Sequence, residues 1–174
     1  MNFTFTESRI EWDYNNENKV YYVENIEFAS YEKKLIYIEI CNDTGYEYRY
    51  LDLNGTDIVW YTEKGILSIF GTKDKEKKTI QLEQIDDVMI IDGNIFVMFS
   101  DKKERKIVEY SRYGEFKREY TAPLHYSFYR FTEFKDKIAV ICQEDSSTDK
   151  YGRKDWKFVY NENSEEWEKK SLSY

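Results

Sequence analysis

The stretch from Ile85 to Thr121, IDDVMIIDGNIFVMFSDKKERKIVEYSRYGEFKREYT, constrains the fold more than any other. Val88-Met89-Ile90-Ile91 runs into Asp92-Gly93-Asn94. Ile95 to Phe99 follows and stops at the charged loop Ser100 to Arg105. Lys106 to Tyr110 reads as a third strand, Tyr113-Gly114 as a turn and Phe116 to Thr121 as a fourth strand. Short apolar runs cut by Gly, Asp and Asn signals form an antiparallel meander. No segment of the chain sustains a helical stripe at i, i+3, i+4, i+7.

The rest of the chain repeats this unit imperfectly. Glu32-Lys33-Lys34, Glu63-Lys64-Gly65, Asp92-Gly93-Asn94 and Lys135-Asp136-Lys137 are each followed at once by an apolar strand, starting at Leu35, Ile66, Ile95 and Ile138. Three units share a later turn, at Asn54-Gly55, Tyr113-Gly114 and Asn161 to Asn163. The second unit, Thr56 to Gln84, is short; it supplies three strands, or Ile58 to Tyr61 finishes the first unit. Lys73 to Lys78 reads as a hairpin loop and Gln143 to Lys154 as a long polar loop.

About fifteen short strands in one flat sheet would expose adhesive edges, so the strands must close radially as blades or as a barrel. On that expectation the charged residues inside strands, Glu39, Arg49, Glu109 and Arg118, face water or an outer edge. A length of 174 residues with one Pro and seven Gly leaves no room for a linker, so residues 1–174 are expected to form a single all-β domain.

The order of strand, Asp/Gly turn, apolar strand, polar loop, strand and x-Tyr-Gly turn resembles β-propeller blades. Ile95 to Thr121, with VEYSRYGEFKREY at its centre, is similar to blades of the NHL type. That resemblance implies a small propeller-like fold of about four units. It departs from the family in having no regular spacing between units. The alternative is a closed up-and-down β-barrel. Propellers serve binding and catalysis alike, so the resemblance does not choose a function.

Charge narrows the partners. With 34 acidic and 26 basic residues the net charge is −8, which argues against nucleic acid, where phosphate neutralisation is required. The same charge steers encounter with a basic protein, or serves solubility. No run approaches the roughly 20 apolar residues of a membrane helix, and Met1 to Ile10 carries no signal-peptide pattern. The expected location is cytoplasmic, with an export signal trimmed from the chain as the alternative. Cys41 and Cys142 each end an apolar run and read as buried free thiols, with a disulfide between facing strands as the other possibility.

The residues offering chemistry are few. His125 is the single histidine, next to Tyr126 in Pro123-Leu124-His125-Tyr126. It is a general base, a ligand or an ordinary surface residue. One His and two distant Cys make no zinc set, and there is no Gly-x-Ser-x-Gly elbow or Gly-rich phosphate cradle. Asp52 to Asp57 has the oxygens of a calcium loop without its closing Glu, and reads as a tight turn. No cofactor or metal is expected. Glu83, Asp86, Asp87 and Asp92 form an acidic stretch: a solvated loop, a patch for a basic partner, or a converging pair for glycoside hydrolysis. Lys102 to Lys106 with Arg112, Lys117 and Arg118 is a basic patch that protects edges or meets an anion. Tyr46, Tyr48 and Tyr50 share one face by period two. With Trp60, or with Trp156 and Tyr160, they form an aromatic platform, or a cross-strand packing ladder.

The expected function is a non-catalytic protein-interaction module of bacterial type, inhibitor- or immunity-like, that binds a basic partner and is not an enzyme. The alternatives are a small-molecule or carbohydrate-binding β domain, and a propeller-type hydrolase using Asp/Glu or His125. The binding residues expected are Tyr46, Tyr48, Tyr50, Trp60, His125, Tyr126 and Trp156. Oligomeric state is left open.

Overall fold

The computed structural model describes residues 2–71, 77–102, 104–145 and 154–172. Within them lie seventeen strands and no helix, and inside each sheet consecutive strands pair antiparallel. Residues 72–76 and 146–153 lie outside the described set, and with them most of the two loops expected at Lys73–Lys78 and Gln143–Lys154. Lys77 and Lys78 belong to a strand instead. No helix among the described residues is long and apolar enough to cross a membrane.

The chain divides into two compact units, Met1–Leu82 and Glu83–Tyr174. In the first, β1 (Phe3–Thr6), β2 (Arg9–Tyr14) and β3 (Glu17–Tyr22) form one meander. A second meander of six strands follows. It comprises β4 (Ile26–Glu32), β5 (Leu35–Asn42), β6 (Gly45–Asp52), β7 (Asp57–Thr62), β8 (Ile66–Phe70) and β9 (Lys77–Gln81). Ile58 to Tyr61 lies on β7, which pairs with β6 on one side and β8 on the other, so the sheet continues past it. Alternation explains the core. Ile36, Ile38 and Ile40 on β5 point one way with Ile26, Ala29 and Leu51, and pack on Ile10 and Trp12 of β2.

The second unit holds two four-stranded meanders. The first contains β10 (Gln84–Ile91), β11 (Asn94–Asp101), β12 (Glu104–Tyr110) and β13 (Phe116–Tyr120). The other contains β14 (Tyr126–Thr132), β15 (Ala139–Glu144), β16 (Asp155–Asn161) and β17 (Glu166–Leu172). Phe96, Met98 and Ile107 of the first sheet meet Phe128, Val140, Cys142 and Phe158 of the second.

Some backbone details recur between the sheets. The opening strand of three sheets carries a β-bulge: between Ile26 and Phe28, Ile85 and Asp87, and Phe128 and Arg130. The third-to-fourth turn is built alike too. Asp52 Oδ1 accepts from the N–H of Asn54 and of Thr56, and Ser111 Oγ accepts from Tyr113 and Glu115. Gly55 and Gly114 hold φ of 85° and 77° and each donates back to the carbonyl of Asp52 or Ser111. This settles Asp52–Asp57 as a turn. Trp12 covers it, its Nε1–H donating to the Leu53 carbonyl at 2.9 Å.

Three expectations are corrected. No sheet closes into a barrel among the described residues; each has two end strands, so edges are managed by bulges and by lysines such as Lys77 and Lys78. Cys41 is exposed rather than buried, because alternation along β5 turns it away from Ile40; Cys142 is buried and free. Glu109 does not face water: it is 3% exposed.

Candidate functional site

In the first unit the face of β4–β7 opposite Ile36 and Ile38 is aromatic. Tyr37 lies opposite Tyr50, Glu39 opposite Tyr48, and Tyr48 opposite Tyr61. The rings touch in sequence. Phe5 meets Phe28 at 6.3 Å, and Phe28 meets Tyr37 at 6.4 Å. Tyr37 meets Tyr50 at 5.0 Å, and Tyr48 stacks on Tyr46 at 6.1 Å and on Tyr61 at 4.7 Å. Phe5 and Phe28 are exposed, at 40% and 45%, and Tyr37, Tyr46, Tyr48 and Tyr50 are half-buried.

Carboxylates accompany these rings. The Tyr37 hydroxyl donates to Glu39 at 2.9 Å and the Tyr48 hydroxyl to Glu63 at 2.8 Å. Burial raises both hydroxyls above the ordinary phenol value, followed by Tyr50 and then Glu39 at Tyr37 and by Glu63 at Tyr48. A hydrogen bond to Glu27 pushes the Tyr46 hydroxyl up to about 12. The face therefore sets a row of phenols beside carboxylates.

Trp60 is on the other face of the same sheet, paired with Arg49. Two-residue alternation dictates this, since Tyr61 is the residue that continues the tyrosine row. Tyr46 and Trp60 nevertheless both line one cavity of about 350 Å³ at the end of the sheet, with Glu47, Glu63, Lys64 and Ile66. The Trp60 Nε1–H is buried with no hydrogen-bond partner among the described residues. Arg49 is half-buried rather than turned to water, held by Glu47 and donating to the Tyr21 hydroxyl at 2.7 Å.

The second unit gathers other expected residues differently. His125 is exposed in a turn with φ of 68°. Its carbonyl accepts from the Asp145 N–H. Tyr126 and Trp156 are brought together by Lys169, whose Nζ lies 3.4 Å from the Trp156 ring centre and 4.9 Å from that of Tyr126. Trp156 and Tyr160 belong to this unit, not to the sheet that carries Tyr46.

The acidic stretch is tied into the fold. Asp86 accepts from Ser100 Oγ at 2.7 Å and pairs with Arg105, and Glu83 accepts from the Lys102 N–H. Asp87 accepts from the Phe131 N–H at 3.2 Å, and burial raises its pKa to about 6. Part of the basic patch is likewise paired: Lys106 with Asp101, and Lys117 and Arg118 with Glu109 at 3.4 and 3.1 Å. Lys103 lies outside the described residues. Glu109 also accepts from the Tyr120 hydroxyl at 2.7 Å and lines a cavity of about 250 Å³.

Neither the known protein-family models nor the curated proteins contain a match to this chain. The site must therefore be weighed on its geometry. Tyr46, Tyr48 and Tyr50 do share a face, as period two requires. Tyr37, Phe28 and Phe5, which extend the row, were not singled out from sequence. The parity of Tyr37 and Glu39 within Leu35–Cys41 was the available signal, but cross-strand register was needed to place them beside Tyr48. Among the described residues no group of three or more His, Cys, Asp or Glu side chains is placed to hold a metal ion.

Proposed function

We propose that this protein is a non-catalytic interaction module whose aromatic, acidic sheet face in the first unit binds a basic protein. One observation carries the reading: the row from Phe5 to Tyr61 interleaves rings with Glu27, Glu39 and Glu63. Tyrosines give a partner large contact area at low entropic cost, and apolar anchors such as Phe28 seat in a partner's pockets. Carboxylates at the same face draw a basic surface and fix its register. A net charge of −8 acts in the same direction at longer range.

The repeated bulges and turns support a propeller-like reading, with each meander as a blade. The paired acids and bases of the second unit support a structural role for them there rather than a catalytic one.

The test is affinity capture by the immobilised chain at low and at ~1 M salt, where screening shortens to a few ångströms. A basic protein retained at low salt, lost at high salt, and lost with Glu39→Gln/Glu63→Gln is the expected result. Retention that ignores both salt and the two substitutions would end the reading.

A further inference from the structure

We propose that the cavity between Tyr46 and Trp60 binds a primary alkylammonium group, the side chain of a lysine presented by the partner. This rests on the interaction reading above and deepens it by naming the group that enters. The cavity holds about 350 Å³, within the range of ligand-binding pockets. Its walls combine a phenol, an indole and Ile66 with the carboxylates of Glu47 and Glu63. Aromatic faces attract a cation, the apolar wall receives a lysine's methylene stem, and carboxylates take the charged head.

Glu63 is the carboxylate that an entering cation would meet. Glu47 and Glu63 outnumber Lys64 on the lining. Glu47 is shared with Arg49, whereas Glu63 gives Oε1 to the Tyr48 hydroxyl and its Oε2 has no partner among the described residues. The same indole already attracts an ammonium from within the chain: Lys77 Nζ lies over the Trp60 ring at 4.9 Å, outside the cavity lining. The second unit repeats the preference, with Lys169 on Trp156. Tyr46 also joins the cavity to the tyrosine row through its stack on Tyr48, so a partner lying on that row reaches the cavity with one side chain.

The experiment follows the indole N–H resonance of Trp60, one of four, assigned by its loss in Trp60→Phe. The probes are n-butylammonium, n-butanol, cellobiose and the peptide Gly-Lys-Gly. Saturable shifts with butylammonium and Gly-Lys-Gly at millimolar concentrations are expected, with little response to the other two. Glu63→Gln is expected to weaken butylammonium about threefold, and Leu124→Ser, on the second unit, to leave it unchanged. Butanol matching butylammonium, cellobiose saturating the shift, or no saturable shift would overturn the proposal. Salt-sensitive capture of a basic protein without any butylammonium response removes this inference and leaves the interaction reading standing. Butylammonium binding by a chain that captures only neutral or acidic proteins overturns the lysine assignment and the interaction reading together.

Discussion

Two carboxylates show what single residues contribute. Asp87 has a folded pKa of about 6, above the 3.8 of an ordinary aspartate. Between these values the native state holds a proton that the unfolded chain has released, so its stabilising contribution is complete below pH 4 and lost as pH rises to 6. Asp87→Asn has nothing to titrate there. Its stability relative to the parent protein should rise by roughly 2 kcal/mol between pH 4 and pH 7, measured from urea midpoints. An unchanged difference across that window would show that Asp87 is not held as described. Glu109 and Tyr120 form the other test. Glu109→Met and Tyr120→Phe should each destabilise, and a double-mutant cycle should give a coupling of about 1 kcal/mol. Neither role was legible in the sequence. A glutamate in a strand reads as solvent-facing, and only the opposing strands show that Tyr120, Lys117 and Arg118 surround Glu109.

Strands and turns were far more legible than side-chain environments. Asp92-Gly93, Asn54-Gly55 and Tyr113-Gly114 mark hairpins because they supply the positive φ or the hydrogen bonds that a turn demands. β9 was misread because its lysines resemble a loop, whereas on an end strand they deter edge pairing. The bulges were invisible: one extra residue leaves composition unchanged and alters only which residue opposes which. If Asp52 and Ser111 perform one job in two repeats, Asp52→Ala and Ser111→Ala should each cost about 1 kcal/mol, read by thermal or urea unfolding. Gly55→Ala should cost a similar amount, about 1 kcal/mol, because φ is positive there and the added methyl would touch the Trp12 ring. A neutral effect at Asp52 with a large one at Ser111 would argue that the two turns are not equivalent.

At the scale of the whole molecule, composition pointed to sheet and acidity to a basic partner, but neither could place the surface. That placement follows from register, which puts Tyr37 opposite Tyr50 and carries the row out to Phe28 and Phe5. Phe28 is 45% exposed, so Phe28→Ser should change folding stability by less than about 0.5 kcal/mol while weakening partner capture. Loss of folding instead would mean that Phe28 is a core residue. The most direct measurement is site-specific photo-crosslinking with a benzophenone side chain at position 28 and, for comparison, at position 116, an exposed Phe of the second unit. The account predicts a crosslink from position 28 to a basic protein, abolished by ~1 M salt and absent from position 116. Equal crosslinking from both positions, or a salt-insensitive product at position 28, would contradict it.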